Sequence, residues 1–134
     1  MRRTGALAAM LLAPSIASAQ PCSTQWPGAR QVESARYQIG YRSQPERIEV
    51  GKHFSLELVL CAKPGMPAPE SLSVDAHMPE HRHGMNYKAQ VNPLGSGRYR
   101  VEGLLFHMPG RWEFVFDVRA GGRSDRATPS FVLE

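Results

Sequence analysis

Cysteine is nearly missing from this chain: there are two in 134 residues, Cys22 and Cys61, and no Cys-x-x-Cys pair. No glycine-rich phosphate loop, no His-Glu-x-x-His segment and no serine in a nucleophile turn is present. These gaps set aside the familiar nucleotide-binding, metalloprotease and acyl-transfer chemistries, and an enzyme is not expected. Lysine and arginine are scattered without a run, and no aromatic-basic stripe accompanies them. Nucleic-acid binding is therefore not expected either. No apolar run reaches the roughly 20 residues of a membrane span, and no helical period lasts longer than a turn.

What is present begins with a leader. Arg2 and Arg3 precede an apolar run from Ala6 to Ile16, and Ala17-Ser18-Ala19 has the small-x-small form of a signal-peptidase site. Gln20 and Pro21 separate Ala19 from Cys22, a poor match to a lipoprotein cleavage box. Residues 1–19 thus read as a signal peptide. Residues 20–134 read as one exported domain, periplasmic or extracellular, with no membrane span. Losing Arg2 and Arg3 lowers the formal charge from +4 to +2, so the basic balance belongs partly to the leader. In an oxidising compartment Cys22 and Cys61 are most simply a disulfide, with a thiolate metal site as the alternative.

Beyond Glu33 the pattern is β. Tyr37, Ile39 and Tyr41 alternate with polar partners, as do Phe54, Leu56, Leu58 and Leu60. Leu72, Val74, Ala76 and Met78 share one strand face. Met85, Tyr87, Ala89 and Val91 predict a further strand, followed by a turn at Asn92–Gly97. Tyr99 to Leu105 and the apolar face Trp112, Phe114, Phe116 and Val118 follow. Pro109-Gly110 suits a type II turn and Gly121-Gly122 a hairpin, before a last strand through Phe131 to Leu133. Seven or eight short strands with turn signals every 8–12 residues predict an immunoglobulin-like antiparallel β-sandwich.

The chemistry gathers in two segments. Asp75-Ala76-His77-Met78-Pro79-Glu80-His81-Arg82-His83-Gly84-Met85 and His107-Met108-Pro109-Gly110 hold four of the five histidines. Imidazole suits several transition metals, and thioethers select soft ions, Cu(I) above all. Taken in turn, antiparallel strands bring the Pro79–Gly84 loop and the Met108–Arg111 turn to one pole, with Gly95-Ser96-Gly97 at the other. A copper site, Cu(I) rather than Cu(II), drawn from His77, His81, His83, Met85, His107 and Met108, is the expectation. The bland reading is that Met78, Met85 and His107 are core and that His81 and His83 are idle loop residues. Asp75 would orient a histidine, and His53 would be surface far from the cluster.

The Met-Pro-x-His-x-His-Gly-Met segment, followed by Gly97-Arg98-Tyr99 and then Phe106-His107-Met108-Pro109-Gly110-Arg111-Trp112-Glu113, resembles the YtkA-like family of small exported sandwich domains. That family is related in pattern to the FixH-type proteins of cytochrome oxidase assembly. The resemblance spans roughly Glu46 to Leu133 and implies an immunoglobulin-like sandwich. The composition is also similar to periplasmic Cu(I) chaperones, although the spacing differs from theirs. The functional expectation is a copper carrier serving a membrane oxidase-assembly or copper-transport partner. A metal-free interaction module of the cell envelope is the alternative.

Overall fold

Side-chain alternation decides most of the architecture. Along β4 (Ser71–Met78), Leu72, Val74, Ala76 and Met78 are buried while Ser71, Ser73 and Asp75 are exposed. That period of two is a strand with one core face. On β8 (Gly110–Ala120), Trp112, Phe114, Phe116, Val118 and Ala120 are all 2 % exposed or less. Opposing them are Tyr37, Ile39 and Tyr41 of β2 (Tyr37–Gln44) and Phe54, Leu56, Leu58 and Leu60 of β3 (His53–Ala62). Each large apolar side chain so buried contributes about 1.5–3 kcal/mol. The two faces together make the core.

The computed structural model describes Met1, residues 12–15 and residues 21–134. Most of the expected signal peptide lies outside the described residues. The remaining strands are β1 (Arg30–Glu33), β5 (His83–Gly84), β6 (Gln90–Gly95), β7 (Arg98–Leu105), β9 (Arg123–Ala127) and β10 (Ser130–Leu133). One sheet has the order β1-β2-β3-β7-β6 and the other β10-β8-β4-β5, with β9 also paired to β8. Every pairing is antiparallel. The runs β2-β3-β7-β6 and β4-β8-β10 reproduce the two sheets of the immunoglobulin arrangement. The chain is an all-β antiparallel sandwich, as its alternation predicts, but with ten strands among the described residues rather than seven or eight, because the short β1, β5 and β9 bury too little to alternate. No helix among the described residues is long and apolar enough to cross a membrane.

Three local departures matter for the site. First, Met85–Val91 is not one strand. The chain pairs with β4 at His83 and Gly84, adds one amide bond from Met85, then crosses to the other sheet and becomes β6. Residues 92–95 are therefore strand rather than turn, and Pro93 is tolerated because β6 is an edge. Second, Pro109-Gly110 is not a tight turn. It lies on an inter-sheet crossing, with Gly110 opening β8 at φ +128°. Third, β7 carries a bulge. Phe54 pairs with Leu104 and Leu56 with Val101, so Glu102 and Gly103 face Ser55 alone. Gly103 has φ +80°, a conformation that glycine takes without strain. One extra residue moves every later side chain to the other face. Leu104 and Phe106 become the fully buried residues.

The opposite pole is fastened twice. Cys22 and Cys61 form the expected disulfide, with Cα atoms 5.8 Å apart. The arm it holds crosses β2 at Gly40, where a Cβ would sit 2.1 Å from the Thr24 carbonyl oxygen. Only glycine fits there. Nearby, Asp125 of β9 accepts hydrogen bonds from the Arg36 backbone at 2.9 Å, the Arg36 Nε at 2.6 Å and the Ser34 hydroxyl at 3.0 Å. The Arg36 guanidinium also donates to the carbonyls of Ala120 and Arg123. This network joins the two sheets.

Candidate functional site

Directly opposed residues in an antiparallel pair share a face, and this sorts the histidines of the first segment. His77 pairs with Gly84, and Met78 with His83. Met78 is fully buried, so His83 lies on the core side of the sheet edge and His77 on the outer side. The Met85 amide donates to the Ala76 carbonyl at 3.3 Å, which continues the ladder and puts Met85 on the core side as well. The turn that makes this possible runs through Arg82 at φ +54°. Arginine is an unusual choice for that region, and nothing in the sequence pattern flagged it.

His107 and Met108 arrive from the β7–β8 crossing. The His83 and His107 ring centres are 5.1 Å apart, and those of His81 and His83 are 5.7 Å apart. Two imidazoles sharing one roughly tetrahedral ion at about 2 Å each would place their ring centres about 5 Å apart. His83 and His107 fit that spacing. Beneath them lies Trp112, which meets both rings edge-on at 6.1 and 5.6 Å and stacks on Phe106 at 4.3 Å. Its indole N–H donates to the Met108 carbonyl at 3.1 Å, fixing the crossing in place. Met85 and Met108 are half-buried and pack against the core.

His107 is the residue with unfinished chemistry. Its Nδ1 is, among the described residues, the one buried side-chain nitrogen or oxygen without a hydrogen-bond partner. Leaving such a group unsatisfied costs about 1–3 kcal/mol. The bulge explains its placement: regular alternation would have sent His107 inward behind Leu105, whereas the extra residue seats it at the rim.

His77 does not join this group. Its Nε2 lies 3.3 Å from Glu113, which accepts from Arg111, which in turn donates to Glu80 at 2.6 Å. The hydrogen bond from Arg111 holds the Glu80 carboxyl below its usual range. Asp75 orients no histidine; its carboxylate accepts from the Ala76 amide at 2.8 Å. His53, expected far from the cluster, pairs with Leu105 and packs edge-on against Tyr87 at 5.1 Å. The β3–β7 pairing, invisible in the local sequence, brings it to the same pole. All five histidines of the chain therefore lie at one end. Among the described residues, no three or more His, Cys, Asp or Glu side chains are grouped so as to hold a metal ion; a site here would need the thioethers.

No protein-family model and no curated protein matches the sequence. In three dimensions the chain is similar to a DUF4426 family protein from Pseudomonas aeruginosa PAO1, at 9 % identity and a TM-score of 0.52. The match covers 81 % of this chain and 97 % of that one. It supports a small β-rich domain and does not single out the YtkA or FixH pattern.

Proposed function

We propose that the chain is an extracytoplasmic copper-binding domain that holds Cu(I) with His83 and His107, joined by His81 and the thioethers of Met85 and Met108. The observation that carries this reading is the buried, unpartnered Nδ1 of His107 beside the His83 ring. A bound ion would remove the cost of that orphaned nitrogen, and the neighbouring thioethers favour a soft one. The disulfide is in keeping with an oxidising compartment. Export to the periplasm, kinship with the YtkA-like and FixH-type proteins, and delivery to a membrane oxidase-assembly or copper-transport partner belong to the same proposal. The domain would buffer or pass on the ion rather than catalyse a reaction.

A second reading has its own observation. Tyr87 is 48 % exposed and stands against the exposed His53 at the same pole. An aromatic residue so placed suits a metal-free docking surface of the cell envelope.

Competition against a Cu(I) chelator separates the two. Wild type should compete, and His83→Ala and His107→Ala should each weaken binding about tenfold or more, the loss of one ligand bond. His77→Ala and His53→Ala should match wild type. Binding should also fall with acid, because imidazole ligates only when deprotonated. A wild-type protein that fails to compete, or His83 and His107 variants that bind as well as wild type, would leave the docking surface as the better account.

A further inference from the structure

β4 and β8 pair only as far as His77 and Glu113. Continuing that register would set Pro79 opposite Arg111, and proline has no N–H for a ladder bond. From there the chain turns away into the loop that carries His81 and His83. A side-chain bridge spans the gap that opens. The Arg111 Nε donates to Glu80 at 2.6 Å, and its Nη1 donates to Glu113 at 2.9 Å. No other hydrogen bond among the described residues joins residues 79–85 to β8 or to the crossing before it.

The proposed ligands stand on both sides of this gap. His81, His83 and Met85 follow Glu80 in the chain, whereas His107 and Met108 precede Arg111. The bridge is therefore the polar tie between the two halves of the site. A pair elsewhere on the same sheet shows the contrast. Arg126 and Asp117, bonded twice at 2.8 and 2.9 Å, are already opposed across β8 and β9. Their contact repeats a connection that the backbone makes. The bland reading of Arg111 and Glu80 is that they are one more surface pair, since both side chains reach solvent and such pairs add little to stability. That reading leaves out their position, across two segments that the ladder does not join.

We propose that Glu80 and Arg111 are positioning residues for the metal: with Glu113 steadying the guanidinium, they clamp the His81–Met85 donors against His107 and Met108 before the ion arrives. A donor set already ordered gives up less freedom on binding. The inference rests on the copper reading and deepens it, because neither residue touches the ion.

Competition of the full chain against a Cu(I) chelator tests the clamp, with thermal midpoints of the metal-free proteins measured alongside. Glu80→Gln and Arg111→Gln should each weaken binding about threefold, the scale of one exposed ion pair, while both midpoints stay near that of wild type. Charge attraction alone predicts opposite signs, because losing the guanidinium would favour a cation. The double variant should bind like Arg111→Gln rather than about ninefold more weakly, since the two residues act as one unit. Arg111→Lys keeps the charge and should recover part of the loss. Arg126→Gln, which breaks the other pair, should bind as wild type does. The clamp is overturned if either single variant binds as tightly as wild type, if the losses multiply in the double variant, or if Arg111→Lys recovers nothing. An equal loss in Arg126→Gln, or affinity that falls only with the thermal midpoint, overturns it as well. A wild type that binds no Cu(I) removes the copper reading and the clamp with it, whereas a binding wild type with unaffected variants removes the clamp alone.

Discussion

Phe116 has no solvent exposure, meets Tyr41 edge-on at 5.2 Å and stacks on Phe114 at 5.8 Å. Removing the ring leaves a cavity that a two-sheet core cannot collapse into cheaply. Phe116→Ala should cost about 3–5 kcal/mol in urea denaturation, and a loss below about 1 kcal/mol would show that the sheets repack freely. Asp125 makes a different residue-scale case. Burial raises its carboxyl, but the Arg36 guanidinium, the Arg36 amide and the Ser34 hydroxyl outweigh that and hold it below the ordinary value. The unfolded chain therefore takes up this proton first. The stabilisation is complete above about pH 4, the ordinary aspartate value, and drains away as pH falls through the lower folded-state value. Denaturation across that acid range should show the loss in wild type. Asp125→Asn should be less stable at neutral pH and show a flatter acid dependence; an identical acid profile would contradict the assignment.

At the scale of elements, legibility followed burial. β4 and β8 could be read almost residue by residue, because each has one face in the core and a clean period of two. β1 (RQVE) and β9 (RSDRA) could not, since edge strands with little to bury carry no alternation. The Met85–Val91 alternation was misleading for the reverse reason. Met85, Ala89 and Val91 do pack against the core, but from a segment that changes sheets. Convergence of the two histidine segments was legible from strand direction alone. Membership of the cluster was not. His77 and His83 differ in face because of a turn closed by a positive-φ arginine, and His107 owes its seat to a bulge at Gly103. Single-residue insertions of that kind leave almost no trace in hydrophobic pattern. His53 was missed because its proximity depends on a long-range pairing, β3 with β7.

For the molecule as a whole, the disulfide closes a loop of 39 residues. Replacing both cysteines by serine should cost about 2–4 kcal/mol in the chain-entropy account, read as a lower denaturation midpoint with the same circular-dichroism spectrum. An unchanged midpoint would mean that Gly40 and the crossing arm already supply the constraint.

The two ends of the sandwich are unequally fastened. One carries the disulfide, the arm locked over Gly40 and the Arg36–Asp125 network. The other carries the histidines, and there β4 is met by a strand of two residues followed by an irregular crossing that holds β4 through the Met85 amide. Fluctuations should not spread evenly through such a body. The backbone amides of β5 and the crossing should exchange with solvent through small local openings, whereas those of β2 and β3 beside Cys61 should wait for the whole molecule to unfold. A partner that gripped the histidine end could therefore peel that edge open and close it again while the far end kept the fold intact.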